Sequence, residues 1–137
     1  MKTIMCTGTF DIIHPGHLFY LSEAKKHGDK LIVVVARDET SKAFKGKEPV
    51  HNERERLEAV RMLKIVDNAV LGKQGNIFDV INEIKPDVIC LGYDQNVQKQ
   101  QVEDELKKRG FKAEVVRIGP YMANVYKSSK LGKSNND

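Results

Sequence analysis

The chain has 137 residues, of which 40% are hydrophobic and 31% charged, and 23 Lys+Arg against 19 Asp+Glu leave a formal charge of +4. That balance fits one folded domain with one core, excludes global disorder, and suits an anionic small molecule better than a nucleic acid. No run reaches the ~18 apolar residues of a membrane span and the N-terminus has no apolar leader, so the expected location is the cytoplasm, with neither membrane nor nucleic acid as partner.

Residues 3–7 read as a short buried strand. Pro15 stands where a first helical turn tolerates a missing N–H. Leu18, Leu21 and Ala24 then follow at helical spacing, with Gly28 as a plausible stop. Residues 31–36 (LIVVVA) form the β-branched run of a strand covered on both faces. Residues 37–52 are polar and rich in Lys, and read as a long functional loop. A helix is expected over 53–63, with Leu57, Val60 and Leu63 inward, then a short strand over 69–71. Asn76 is placed to cap a helix carrying Ile77, Val80, Ile81 and Ile84. Residues 88–91 read as a strand, 102–109 as a helix closed by Gly110, and 113–116 as a fifth strand. The end of the chain is polar. The expected organisation is one domain over 1–131 and a polar tail over 132–137.

Strands alternating with helices imply right-handed βαβ crossovers, hence an α/β, doubly wound, Rossmann-like domain with a five-stranded parallel sheet. Such sheets bind ligands beyond the carboxyl ends of their strands. Chemistry is therefore sought in the loops that follow the strands. The first strand runs into Gly8-Thr9-Phe10-Asp11 and then His14-Pro15-Gly16-His17 at a helix start. Gly8 lets a phosphate approach the backbone without a Cβ in the way. A helix N-terminus offers free N–H groups and a partial charge of about +0.5. His14 and His17 are three apart and share one side of the first turn, where imidazoles can donate to phosphoryl oxygens or supply a proton to a leaving phosphate. Cys6, His14, His17 and Cys90 follow no common zinc spacing, and the two cysteines read as buried thiols.

Gly8-Thr9-Phe10-Asp11 followed by His14-Pro15-Gly16-His17 resembles the signature of the cytidylyltransferase-like nucleotidyltransferases. The resemblance implies in-line attack of an acceptor phosphate on the α-phosphorus of a nucleoside triphosphate, with pyrophosphate leaving. It implies catalytic roles for His14, His17 and Lys45, the last in a mobile phosphate-neutralising loop with Lys42 and Lys47 as neighbours. Gly8, Thr9, Phe10, Pro15 and Gly16, together with Arg56, Asp94, Tyr121, Ser128 and Ser129, are expected to bind the nucleotide, Arg56 through phosphate. Asp11 and Asp38 are expected on the acceptor side. A divalent ion, Mg²⁺ or Co²⁺, would come with ATP, held largely by phosphates and water. The family also implies a homodimer.

Within that superfamily, Val35-Ala36-Arg37-Asp38-Glu39-Thr40, Lys85-Pro86-Asp87-Val88-Ile89 and the tail from Tyr121 to Ser129 resemble archaeal-type FAD synthases, which join ATP and FMN. Asn124, where that group often has cysteine, and Tyr93, where it often has proline, depart from the pattern. Glycerol-3-phosphate cytidylyltransferases are the alternative. Transfer to pantetheine phosphate or a sugar phosphate, and a non-catalytic nucleotide sensor, stay open.

Overall fold

In the computed structural model, residues 1–46, 49–74, 76–93, 95 and 97–120 are described, Phe44 and Lys45 by backbone only. Asp94, Tyr121, Ser128 and Ser129 lie outside the described residues, as does the Lys45 side chain. The elements in chain order are β1 (Thr3–Gly8), α1 (Pro15–Lys25), β2 (Lys30–Val35), α2 (Asp38–Lys45), α3 (Glu53–Arg61), β3 (Asn68–Leu71), a 3₁₀ turn (Ile77–Asp79), α4 (Val80–Ile84), β4 (Val88–Leu91), α5 (Lys99–Arg109) and β5 (Glu114–Arg117).

All strand pairs are parallel, in the order β3-β2-β1-β4-β5. The order reverses between β1 and β4, so the expected doubly wound architecture is present and its switch point lies beside the end of β1. Registers pair Gly8 with Val35, Val35 with Leu71, and Leu91 with Arg117. The carboxyl ends therefore form one common edge.

The period of two along a strand sorts the core onto two faces. Ile4, Cys6, Leu31, Val33 and Val35 pack with Leu21 and Ala24 of α1 and Leu57 and Val60 of α3. Met5, Val34, Ile89 and Leu91 pack on the other face with Val80 and Ile81 of α4 and Val102 and Leu106 of α5. Cys6 and Cys90 are free, buried and in register across β1 and β4. Burial pushes the Cys6 thiol well above its ordinary range.

The polar stretch read as a loop contains α2, a correction with two physical causes. Its N-terminal amide, on Asp38, is capped by Glu53 Oε1 at 2.9 Å, a partner 15 residues away. Its C-terminus closes on Gly46 in the left-handed region, φ 77°. Among its described side chains only Ser41 is buried, so no apolar period announced the helix. Smaller differences have similar origins. Gln98 and Gln101 build a capping box that starts α5 three residues before the apolar pattern does. Asn76 does cap, accepting from Phe78 N at 2.9 Å, but what it starts is the 3₁₀ turn that precedes α4.

Candidate active site

Beyond β1 the chain turns through Phe10, whose φ of 54° is unusual for a residue with a side chain. The Phe10 ring is buried and folds back beneath Gly8. A Cβ on Gly8 would lie 2.6 Å from Phe10 Cε2, so the space a side chain needs is filled by the ring. This adds a cause the sequence did not show: Gly8 is needed for its neighbour's ring as well as for any phosphate. The same ring lies 5.2 Å, centroid to centroid, from the ring of His17. The left-handed turn thus seats a packing surface under a candidate catalytic side chain.

His14 is the N-cap of α1 and Pro15 its first residue. His14 Nδ1 accepts from Gly16 N at 3.0 Å, and His17 Nδ1 accepts from His14 N at 3.2 Å. This is a reciprocal capping box built from two imidazoles, where Ser/Thr and Glu/Gln are usual. A neutral imidazole that accepts at Nδ1 carries its proton on Nε2. The two rings lie 4.0 Å apart at the helix N-terminus. Tyr20 supports the turn from within. Its single hydroxyl proton is shared between Cys90 O at 2.9 Å and Thr7 O at 3.1 Å, and burial raises its pKa well above the usual value. The bonds join α1 to the ends of β1 and β4.

Arg56 does something other than meet solvent or phosphate. Its side chain is fully buried, with Nη1 donating to Thr9 O and Ala36 O at 2.8 and 2.7 Å and Nε to His51 O at 3.0 Å. Its Nη2 meets Asp38 Oδ1 at 2.6 Å. One guanidinium thus ties together the segments after β1 and β2 and the start of α3. Asp38, expected to face the acceptor, spends its carboxylate on this charge. A fully buried fork with four acceptors has no surface to offer a phosphate. Asp11 is likewise occupied, accepting from Val50 N and His51 N at 2.8 Å each. Burial works against its charge, but those two amides and the His51 ring outweigh it and hold the carboxyl below its ordinary range. Thr9 Oγ1 lies 3.2 Å from the buried Ser41 hydroxyl, which docks α2 on the motif.

The common carboxyl edge opens into a cleft of about 1180 Å³. Gly8, Thr9, Phe10, Asp11 and the whole of His14-Pro15-Gly16-His17 line it, and Arg56 and Asp38 are not among its lining residues. The cytidylyltransferase-like family model matches residues 5–133. The chain belongs to the cytidylyltransferase-like family. This membership makes it a nucleotidyltransferase, as the motif led one to expect. It is 46% identical to the FAD synthase of Methanohalophilus mahii over 97% of this chain and 93% of that protein. With the FAD synthase of Methanothermus fervidus the identity is 56% over 85% and 82% of the two chains. The crystal structure of a lipopolysaccharide core biosynthesis protein from Thermoplasma volcanium is 45% identical, with a TM-score of 0.84 over 88% of this chain and 98% of that one. Pantothenate synthetase from Thermus thermophilus shares the fold alone, at 14% identity and a TM-score of 0.60 over 87% of this chain and 56% of that one.

The cytidylyltransferase-like cleft also depends on residues that motif reading missed. Arg37 Nε donates to Gly72 O at 2.7 Å and its Nη1 reaches Glu53, which joins the ends of β2 and β3. Arg117 Nη1 donates to Gly92 O at 2.7 Å and Gln95 O at 3.2 Å, and its Nη2 to Val97 O at 2.7 Å. Gln95 Nε2 in turn holds Thr7 O at 2.6 Å. Each arginine adjoins the carboxyl end of a strand, the only signal the sequence carried for them. Among the described residues no three His, Cys, Asp or Glu are gathered as a metal site, and no helix is long and apolar enough to cross a membrane.

Proposed function

We propose that this nucleotidyltransferase moves AMP from ATP to FMN, giving FAD and pyrophosphate. The observation that carries the reading is the pair of imidazoles on the helix N-terminus that lines the cleft, in a chain about half identical to FAD synthases over most of its length. An FMN phosphate oxygen forms a bond to the α-phosphorus as the bond from that phosphorus to the bridging oxygen breaks, and the electron pair leaves with pyrophosphate. His14 and His17 donate to phosphoryl oxygens as charge builds there. Thr9, Pro15 and Gly16 line the phosphate path, and Gly8 with Phe10 sets the turn. Lys45, Asp94, Tyr121, Ser128 and Ser129 complete the nucleotide site in this reading. Arg56, Asp38 and Asp11 act as positioning residues through the loops they hold. The divalent ion, Mg²⁺ or Co²⁺, arrives as the metal–ATP complex, since its phosphates and water supply ligands that no described cluster of side chains does.

Purified protein is incubated with either metal and each pairing of ATP or CTP with FMN, glycerol 3-phosphate or a sugar 1-phosphate, while pyrophosphate is followed. Release with ATP and FMN, with FAD appearing, is the expected result. Release only with a sugar phosphate would instead favour a second reading, which the likeness to the Thermoplasma volcanium lipopolysaccharide core biosynthesis protein motivates. We further propose a cytoplasmic homodimer joined near α1, where Ile12 and Leu18 are exposed beside the motif. A monomer mass by light scattering at micromolar concentration would overturn the dimer.

A further inference from the structure

The capping box orients two imidazoles on α1, but it does not set how the chain arrives there from β1. Residues 11–13 bridge the left-handed Phe10 to the N-cap His14. Asp11 opens that bridge, and His51 holds it by backbone and side chain together. The His51 amide donates to Asp11 Oδ1 at 2.8 Å, and ring Nδ1 lies 3.0 Å from the Asp11 carbonyl oxygen. A carbonyl only accepts, so Nδ1 is the nitrogen that carries the proton in this bond. The Asp11 carboxylate, with Oδ1 at 3.4 Å from the same nitrogen, favours that arrangement. His51 is itself anchored, since Arg56 Nε donates to its carbonyl at 3.0 Å. The same guanidinium reaches back to Thr9 O at 2.8 Å. The bonds therefore close a circuit, from Thr9 to Arg56 to His51 to Asp11, around the point where the chain turns toward the histidines.

We infer that His51 is a positioning residue for nucleotidyl transfer: its ring Nδ1–H fixes the peptide plane after Asp11 and, through it, where the His14–His17 pair stands in the cleft. The inference rests on the proposed role of the two histidines and not on which phosphate accepts the nucleotide. Asp11 lines the cleft, whereas His51 is not among its lining residues. His51 lines instead a second, smaller hollow, with Ile12, Ile13 and Ala59. It therefore acts through Asp11 rather than on substrate. Its side chain is 48% exposed, so removing the ring opens no core cavity and leaves the sheet and α3 in place. What is lost is the hold on the bridge. Misplacing a reacting group by about 1 Å costs up to about 10²-fold in rate, so a loosened bridge is read in kcat.

The test compares His51→Ala, His51→Asn and His51→Gln with wild type and His17→Ala, using Mg²⁺, ATP and FMN and following pyrophosphate, with folding checked by thermal melts. The side-chain nitrogen of asparagine falls where imidazole Nδ1 stood, and that of glutamine falls one atom further out. We expect kcat to drop about 5- to 30-fold in His51→Ala and His51→Gln, with KM for ATP within about twofold of wild type. His51→Asn should recover most of the loss, and the Asn–Gln pair decides the outcome if His51→Ala fails to fold. Wild-type kcat in all three variants beside an impaired His17→Ala overturns this inference alone. So does a His51→Asn protein as slow as His51→Ala, or a raised KM with kcat intact. A second measurement needs no substrate: the two-bond ¹H–¹⁵N spectrum of the histidine rings at about pH 8.5, above the ordinary imidazole range, should show His51 protonated at Nδ1. The Nε2–H tautomer there overturns the inference whatever the kinetics. If wild type is silent with FMN, the FMN reading fails and the variants are compared on whichever acceptor phosphate it uses. Silence with every pairing, or a fully active His17→Ala, removes the histidine reading and this inference with it.

Discussion

Two segments border the cleft and are held by opposite means. The β1–α1 turn is self-contained. Its histidines cap each other's backbone within four residues, and Phe10 fills the space left by Gly8 two residues earlier. The arm from the end of β2 to the start of α3 has a local capping box only at its far end, between Asn52 and Glu55, and its described bonds to the motif are long-range. Arg56 reaches Thr9 O, 47 residues away in the chain, and Asp11 reaches the amides of Val50 and His51 at 39 and 40 residues. Local bonds keep the donors aimed before any substrate arrives. Long-range bonds make the arm's position a consequence of the completed fold. The proposed chemistry therefore sits on the segment that needs least help to form, and its surroundings on the segment that needs most.

Substitutions can separate the two. Arg56→Met has the largest expected effect on stability, about 3–5 kcal/mol, because it leaves three backbone carbonyls and Asp38 without their shared donor. Chemical denaturation measures it, and Arg56→Lys should recover little, since an ammonium cannot reproduce the fork. A loss under about 1 kcal/mol would mean that the arm does not depend on this residue. His17→Ala should do the reverse. We expect kcat to fall about 10²- to 10³-fold, the scale of one charge-stabilising donor, with only about 1 kcal/mol of stability lost from the cap. Turnover within twofold of wild type would remove His17 from the chemistry.

Gly8→Ala sharpens the local half of the comparison. The added methyl must displace the Phe10 ring, and with it the surface beside His17, for an expected cost of about 1–3 kcal/mol. Gly8→Ala/Phe10→Leu should recover part of that loss; no recovery in the double variant would show that the ring is not the obstacle. The smallest effect is expected at Asp11. Its folded pKa is lowered, so its contribution is fully present above the ordinary carboxylate value and is lost as pH falls through the folded value. Melting temperatures followed from about pH 5 to about pH 2 should show wild type losing more than Asp11→Asn over that window. Parallel curves would mean that the carboxylate does not hold the arm.

The legible parts of this protein were those whose physics is local. Short continuous apolar runs showed the strands, and the short Gly8 to His17 segment displayed a helix start, a turn and two candidate donors within ten residues. Helix α2 was hidden because it lacks an apolar stripe and takes its N-terminal acceptor from Glu53. The roles of Arg37, Arg56 and Arg117 were hidden for the same reason. Arg56 alone was read as a phosphate ligand, and its carbonyl partners show otherwise.

By itself the sequence determined the strands, the helices other than α2, the parallel sheet that follows from their alternation, and the motif read as the place of the chemistry, since each depends on neighbours within a few positions. Tertiary structure alone decided which charges remain free for substrate and which are consumed in holding loops, because that choice depends on backbone carbonyls delivered from distant strands to one buried guanidinium.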